Sequence, residues 1–251
     1  MKPVLLKLGG SLITDKSRPE TARLDVIARL AKEIHEARER EGFPLVAGHG
    51  GGSFPHQFAH RYQTQMGIAG PESLRGIALV QDAASRLNRI VVRALLEAGE
   101  NAVSIQPSAC VTTEGGIITD GYLRPIEKAL DLGMVPVPYG DVAFDVRQGC
   151  AIISTERVVA FIARKLGANR VVIAANEEGV WEDFPQKKKL IDEINPRNFP
   201  EIRRHLKGSA AVDVTGGMLH KIERMLDLAR ETGADVIVVN GSVPGRVRDA
   251  L

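Results

Sequence analysis

Twice in its first 52 residues the chain runs a short apolar stretch into glycine and then into a helical pattern. Val4-Leu5-Leu6-Lys7-Leu8 leads into Gly9-Gly10-Ser11, and Leu45-Val46-Ala47 into Gly48-His49-Gly50-Gly51-Gly52-Ser53. A buried strand that turns through glycine into a helix leaves several backbone N–H groups aimed at one small volume. With the dipole of the following helix, that volume suits a phosphate. Ser53 reads as the cap of a helix over residues 54–62, and His49, His56 and His60 stand in or just after the loop. No Lys-Ser/Thr follows the glycines, so this is not a Walker A loop; Ser53 also occupies the place of the third glycine of a dinucleotide fingerprint. A plain tight turn is the competing reading of such a loop taken alone.

The remaining chain repeats the alternation. Apolar residues recur with helical period over 21–40 and over 73–98, the latter closing at Gly99. Short strands are expected at 102–105, 171–174 and 236–239, and turns or a hairpin at 115–122. A short helix over 126–132 ends at Gly133, and an extended 135–138 leads into Gly140-Asp141-Val142. Helices are expected over 154–166 and 218–231, with 212–214 extended. Strands and helices in alternation imply an α/β fold with a mainly parallel sheet covered on both faces. With 251 residues, 44% of them hydrophobic, the chain can bury a large core as one domain or two lobes. A net charge of +2 and 4% aromatic content give no reason to expect nucleic acid or an anionic membrane as partner. No apolar run has the length of a membrane span. Cys110 and Cys150 lack metal-ligand spacing, and Met1-Lys2-Pro3 opens no signal-peptide pattern, so a reducing cytoplasm is expected. Lys187-Lys188-Lys189 reads as a solvated loop, with a polyphosphate contact as the other reading.

The chemistry sits at strand ends. Lys7 lies inside the first apolar strand, where an ammonium is costly unless it reaches the strand end and meets an anion; snorkelling at an edge is the alternative. Ligands of open α/β sheets bind outside the carboxyl ends of strands. Two glycine turns placed there could therefore hold two phosphates side by side, with Lys16 of Thr14-Asp15-Lys16 in reach. Thr215-Gly216-Gly217-Met218 reads as a third glycine turn at a helix start, and Lys221 follows it. Asp141 ends an apparent strand, where it could orient lysines or hold a metal, or be only a turn aspartate. Three glycine turns, three lysines and no obvious nucleophile suit phosphoryl transfer by positioning and charge neutralisation.

Lys7-Leu8-Gly9-Gly10-Ser11, the loop 48–53, Gly140-Asp141-Val142 and Asp213-Val214-Thr215-Gly216-Gly217-Met218 with Lys221 resemble the amino acid kinase superfamily. Lys16, Gly52-Ser53-Phe54 with His56, and Val103-Ser104-Ile105-Gln106-Pro107-Ser108 narrow the resemblance to the isopentenyl phosphate kinases, with the fosfomycin kinases close behind. The resemblance implies an open αβα sandwich in which residues 1–168 take the phosphoacceptor and residues 169–251 take ATP with Mg²⁺. It implies a homodimer working in isoprenoid biosynthesis. By the same resemblance His56 and the Gly51 and Gly52 amides hold the acceptor phosphate, and Lys7 and Lys16 follow the transferring group. Asp141 orients the lysines; Gly9, Gly10, Ser11, Asn176, Gly179, Gly216, Gly217, Met218 and Lys221 serve the nucleotide. No residue is assigned to a metal. Val80, Ala84, Gly140, Val142, Ile152 and Thr155 line the acceptor, and the small Ala84 leaves room for a tail longer than isopentenyl. His56 argues against an amino acid carboxylate acceptor; His49 and His60 are expected to be structural.

Three stretches depart from the family pattern. Pro55 stands for a glycine, Ser154-Thr155-Glu156 for Ser-Gly-Asp, and Ala175-Asn176-Glu177-Glu178-Gly179-Val180 for Thr-Asp-x-Asp-Gly-Val. The alternatives are a small-phosphonate kinase of the fosfomycin type and a nucleotide-binding sensor without turnover. A Rossmann oxidoreductase would need Glu72 as its ribose acid, yet Gly70-Pro71-Glu72-Ser73 reads as a loop before a helix.

Overall fold

The computed structural model describes the backbone of residues 1–182, 188–208 and 212–251, and their side chains except at 205–208 and 212–221. Four parallel strands form the central sheet in the order β10-β9-β1-β2. They are β1 (Val4–Leu8), β2 (Leu45–His49), β9 (Arg170–Ala175) and β10 (Asp235–Asn240). Every residue of β1 and β2 is buried, as parallel strands covered on both faces require. Because β9 and β10 lie beside β1, one sheet spans both stretches, 1–168 and 169–251.

Next to β2 runs β6 (Val135–Pro138), which pairs in parallel with β3 (Ala102–Ile105). Pro136 and Pro138 cannot donate ladder hydrogen bonds. Accordingly β6 joins β2 only through the His49–Tyr139 bridge, with Gly140 N–H donating to the His49 carbonyl at 3.1 Å. One face of the sheet carries α1 (Gly10–Ile13), α2 (Leu24–Glu41), α4 (Pro71–Glu97) and α9 (Arg246–Ala250) around Leu6, Leu30, Ile34 and Leu87. The opposite face carries α5 (Arg124–Asp131), α6 (Thr155–Leu166) and α8 (Val212–Thr232) around Leu5, Val46, Phe161 and Val171. Between β2 and α4 lies the short α3 (His56–Arg61). A second sheet has the order β5-β4-β7-β8; its strands are β4 (Val111–Glu114), β5 (Ile117–Gly121), β7 (Asp141–Asp145) and β8 (Gly149–Ile153). Finally α7 (Phe199–Gly208) packs through Ile202 on Ile222 and Leu226 of α8.

Two local expectations fail. Residues 212–214 are not extended: α8 begins at Val212, so Gly216, Gly217 and Met218 lie within a helix and form no turn before one. Two β-branched residues and two glycines suggested a break, but the 21-residue helix absorbs glycine costs of about 1 kcal/mol each. Ser53 caps nothing. Its hydroxyl accepts from Thr21 N–H at 3.2 Å, and α3 starts three residues later with Pro55 before it and no side-chain cap.

Candidate active site

The two glycine loops touch. A Cβ on Gly50 would stand 2.7 Å from the Gly10 nitrogen and 3.1 Å from its Cα, so side chains there would push the loops apart. Gly50 N–H donates to the Leu8 carbonyl at 2.9 Å, and Gly9 N–H to the Ala174 carbonyl at 2.8 Å, which fixes both loops to strand ends. Gly52 has φ +55 and turns the chain against Thr14. Thr14 Oγ1 accepts from Ser53 N–H at 3.0 Å and donates to the Gly10 carbonyl at 2.7 Å, stitching one loop to the other. Since α3 has only six residues, it is loop amides rather than a capped long helix that give this place its donors.

A cavity of about 300 Å³ opens over the junction. Lys7, Gly9, Gly10, Ser11, Lys16, Gly51, Gly52, His56, Gly140 and Asp141 all border it, gathered from six separate stretches of chain. Lys7 is 9% exposed, and its Nζ donates to Glu156 Oε1 at 2.7 Å. The acid facing Lys7 is therefore Glu156 and not Asp141. Asp141 opens β7, and its carboxylate turns to backbone, accepting from Ser108 N–H at 3.0 Å and from its own Val142 N–H at 2.9 Å. Burial nonetheless pushes the Asp141 carboxyl up, the amide bonds opposing. Lys16 is exposed at the rim and has no carboxylate partner among the described residues. Partial burial, then the Lys16 charge, holds the His56 imidazole below the ordinary histidine value. A dianion bound between Lys16 and His56 would reverse that shift.

His49 belongs to the scaffold. It is fully buried, stacks on Tyr139 at 5.7 Å between ring centroids, and burial lowers its pKa to about 4. Its Nε2 accepts from Asn88 Nδ2 at 3.1 Å, which assigns the proton to Nδ1 and lets that nitrogen donate to the Gly50 carbonyl at 3.2 Å. Ser104 Oγ donates in turn to Asn88 Oδ1 at 2.5 Å. Thr155, also buried, donates through Oγ1 to the His49 carbonyl at 2.7 Å, tying α6 to the loop's first residues. His60 is exposed on α3 and does not border the cavity.

Val80 and Ile152 supply apolar wall, with Ala59 and Ile153. Ala84 and Val142 do not. Both are buried, Ala84 one helical turn beyond Val80 on α4 and Val142 opposite Ile152 in the β7–β8 ladder. At the other glycine loop Asn176 Nδ2 donates to the Ser11 carbonyl at 3.1 Å, and its Oδ1 accepts from Ser242 Oγ at 3.2 Å. Gly179 lies in the loop beyond, away from the cavity. The backbone of Gly216, Gly217, Met218 and Lys221 is helical, but the contacts expected of their side chains, like Lys187, lie outside the described residues. In the sequence Glu156 stands out only as the acid that replaces the family's Asp. Its position in the first turn of a helix gave no hint that it meets a lysine 149 residues earlier. Among the described residues no cluster of three or more His, Cys, Asp or Glu could hold a metal ion. Nor, among them, is any helix long and apolar enough to cross a membrane.

Fold and site together define an α/β protein with two abutting glycine loops at the carboxyl ends of a parallel sheet, Lys7 and Lys16 bordering the cavity above them. The chain belongs to the amino acid kinase family, whose model matches residues 2–240. It is 38% identical to isopentenyl phosphate kinase of Methanothermobacter thermautotrophicus, the match covering 99% of this chain and 94% of that protein. Isopentenyl phosphate kinase of Haloferax volcanii is 36% identical, with 91% and 89% covered. Among solved structures, an isopentenyl phosphate kinase superposes with a TM-score of 0.82 at 35% identity, covering 99% of this chain and 95% of the other.

Proposed function

We propose that this chain is an ATP-dependent kinase that phosphorylates isopentenyl phosphate to isopentenyl diphosphate. One observation carries the reading: two glycine loops in backbone contact, with Lys7, Lys16 and His56 around one cavity that has an apolar wall at Val80 and Ile152. The full-length similarity to isopentenyl phosphate kinases supplies the acceptor. The acceptor phosphate lies on the Gly51 and Gly52 amides with His56, its tail against Val80 and Ile152. The nucleotide lies over Gly9-Gly10-Ser11, toward Asn176, Gly179 and the 216–221 stretch of α8. Residues 1–168 thus carry the acceptor site and lend Gly9-Gly10-Ser11 to the nucleotide, while 169–251 supply the rest of the nucleotide site.

An ionised oxygen of the acceptor phosphate attacks the γ-phosphorus, and the bond to the β,γ-bridging oxygen breaks, releasing ADP. That oxygen already carries its charge, so His56 donates a hydrogen bond and positions; it removes no proton. Lys7 and Lys16 follow the charge of the transferring group. Glu156 keeps Lys7 aimed at the strand end. Mg²⁺ usually enters such sites on nucleotide phosphates, held by one or two carboxylates and water. Glu156 and Asp141 are the carboxylates at this cavity, both already bonded to protein groups, which fits an ion carried by the nucleotide. When bound, it neutralises phosphate charge.

The reading includes a cytoplasmic homodimer. The free thiols of Cys110 and Cys150 suit a reducing compartment, and the homodimer rests on the family resemblance. Its test is ADP release from ATP and Mg²⁺ with isopentenyl phosphate, fosfomycin and several amino acids in turn, on the wild type and His56→Ala. Isopentenyl phosphate should be turned over fastest and His56→Ala should raise its KM. Faster turnover of fosfomycin would overturn the acceptor, and an unchanged KM would remove His56 from its role.

A further inference from the structure

A second cavity, of about 560 Å³, lies between α6, α8, β9 and the edge of β5, on the other side of Lys7 from the acceptor loops. Its size is that of an ordinary small-molecule site. The walls are apolar: Val159, Ala160, Val171, Ile173, Met225 and Leu228. Three arginines border it, and they are not equivalent. Arg164 Nη1 donates to Glu231 Oε2 at 2.6 Å and is neutralised. Arg157 gives one N–H to the Gly116 carbonyl at 2.5 Å, and Arg224 gives none to any described residue. Neither Arg157 nor Arg224 has a carboxylate partner among the described residues; Asp227, which also borders the cavity, lies 3.8 Å from Arg230 instead. Burial, then the charge of Arg224, holds the Arg157 guanidinium below its ordinary value. The two guanidinium charges repel one another, and an anion between them turns that repulsion into two attractions. Lys7, Ser154 and Glu156 border both cavities, so whatever fills the second touches the Lys7–Glu156 pair that faces the first.

We propose that this cavity binds a small anionic amphiphile, a phosphate or diphosphate head on Arg157 and Arg224 with an apolar chain along Val171, Met225 and Leu228. Prenyl and alkyl phosphates share that chemistry. An effect on turnover, through Lys7 and Glu156, rests on the kinase reading above; the binding itself does not.

The test is calorimetric titration of the whole chain with farnesyl diphosphate or dodecyl phosphate below their micellar concentrations, in saturating isopentenyl phosphate and ADP. One saturable site per chain is expected, and the tighter probe identifies the source. Arg224→Ala, at an exposed position, should weaken binding at least tenfold, and Leu228→Trp should weaken it by filling the cavity. Farnesol and inorganic diphosphate alone should each bind far more weakly than farnesyl diphosphate. No saturable binding, displacement by isopentenyl phosphate or ADP, or equal affinity in Arg224→Ala would overturn the proposal. All of these are read without turnover, so a failed kinase assay leaves the result standing.

Discussion

Lys7 shows what a single residue can reveal before any fold is known. An ammonium inside an apolar strand is too costly to be incidental, and it lies 9% exposed at the cavity with Glu156 at 2.7 Å. Lys7→Met should lower kcat by about 10²–10³-fold, the scale of losing one preorganised charge donor, with the fold intact by circular dichroism. Glu156→Gln should lower kcat in the same direction by less, because Lys7 keeps its charge and loses only its aim. Glu156 itself was not legible as Lys7's partner: an acid in a helix's first turn is favoured by the dipole wherever it points. His56 carries a pH signature. Its ligand-free pKa is lowered by burial and Lys16, and a bound dianion raises it, so binding takes up a proton. Above pH 7, where the acceptor is already dianionic, the acceptor Kd should rise with pH until the bound-state histidine is neutral, then level off. His56→Gln should flatten that rise in a titration series across pH; a slope equal to wild type would exclude the histidine.

Among the elements, the decisive contact is between the β1–α1 and β2–α3 loops. Glycine there was legible as punctuation, but its reason was not: the partner of Gly50 is Gly10, forty residues away in sequence. Gly50→Ala should separate the loops and raise the acceptor KM more than the ATP KM, while Gly42→Ala at the open end of α2 should cost stability only, through its φ of +66. The loop bearing Lys16 is clamped as well. Glu20 sits at φ +48, strained for a residue with a side chain, and Arg86 of α4 grips its carboxylate with two bonds, of 2.6 and 2.9 Å. Arg86→Ala should loosen that loop and lower kcat by up to about 10²-fold, the cost of an ångström-scale misplacement, with little change in melting temperature. Arg86→Lys should rescue only partly, since Lys lacks the two-pronged grip. What the sequence concealed at this scale were long-range choices: Thr21 taking the Ser53 hydroxyl, and the prolines of β6 breaking the ladder to β2.

At the scale of the molecule, the mainly parallel sheet and the layering of helices on its two faces follow from the alternation of short apolar runs with amphipathic ones. The second sheet was less legible, because β4 and β5 are short, partly exposed strands and β4 also pairs with β7, farther along the chain. Buried at the end of β2 sits neutral His49. Its pKa of about 4 in the fold, against 6.5 unfolded, means the unfolded chain binds the extra proton. Stability should therefore be fully present above pH 6.5 and be lost, by about 3 kcal/mol, as pH falls from 6.5 to 4. Urea unfolding across that range should show a shallower slope for His49→Gln, whatever its absolute stability.

All these elements converge on two phosphates meeting over the abutting loops. The most direct measurement is ³¹P NMR of the chain with ATP, Mg²⁺ and isopentenyl phosphate. The acceptor singlet should be replaced by the coupled doublets of a prenyl diphosphate, one equivalent for each ADP formed. ADP accompanied only by inorganic phosphate, or an acceptor signal that never changes, would contradict it.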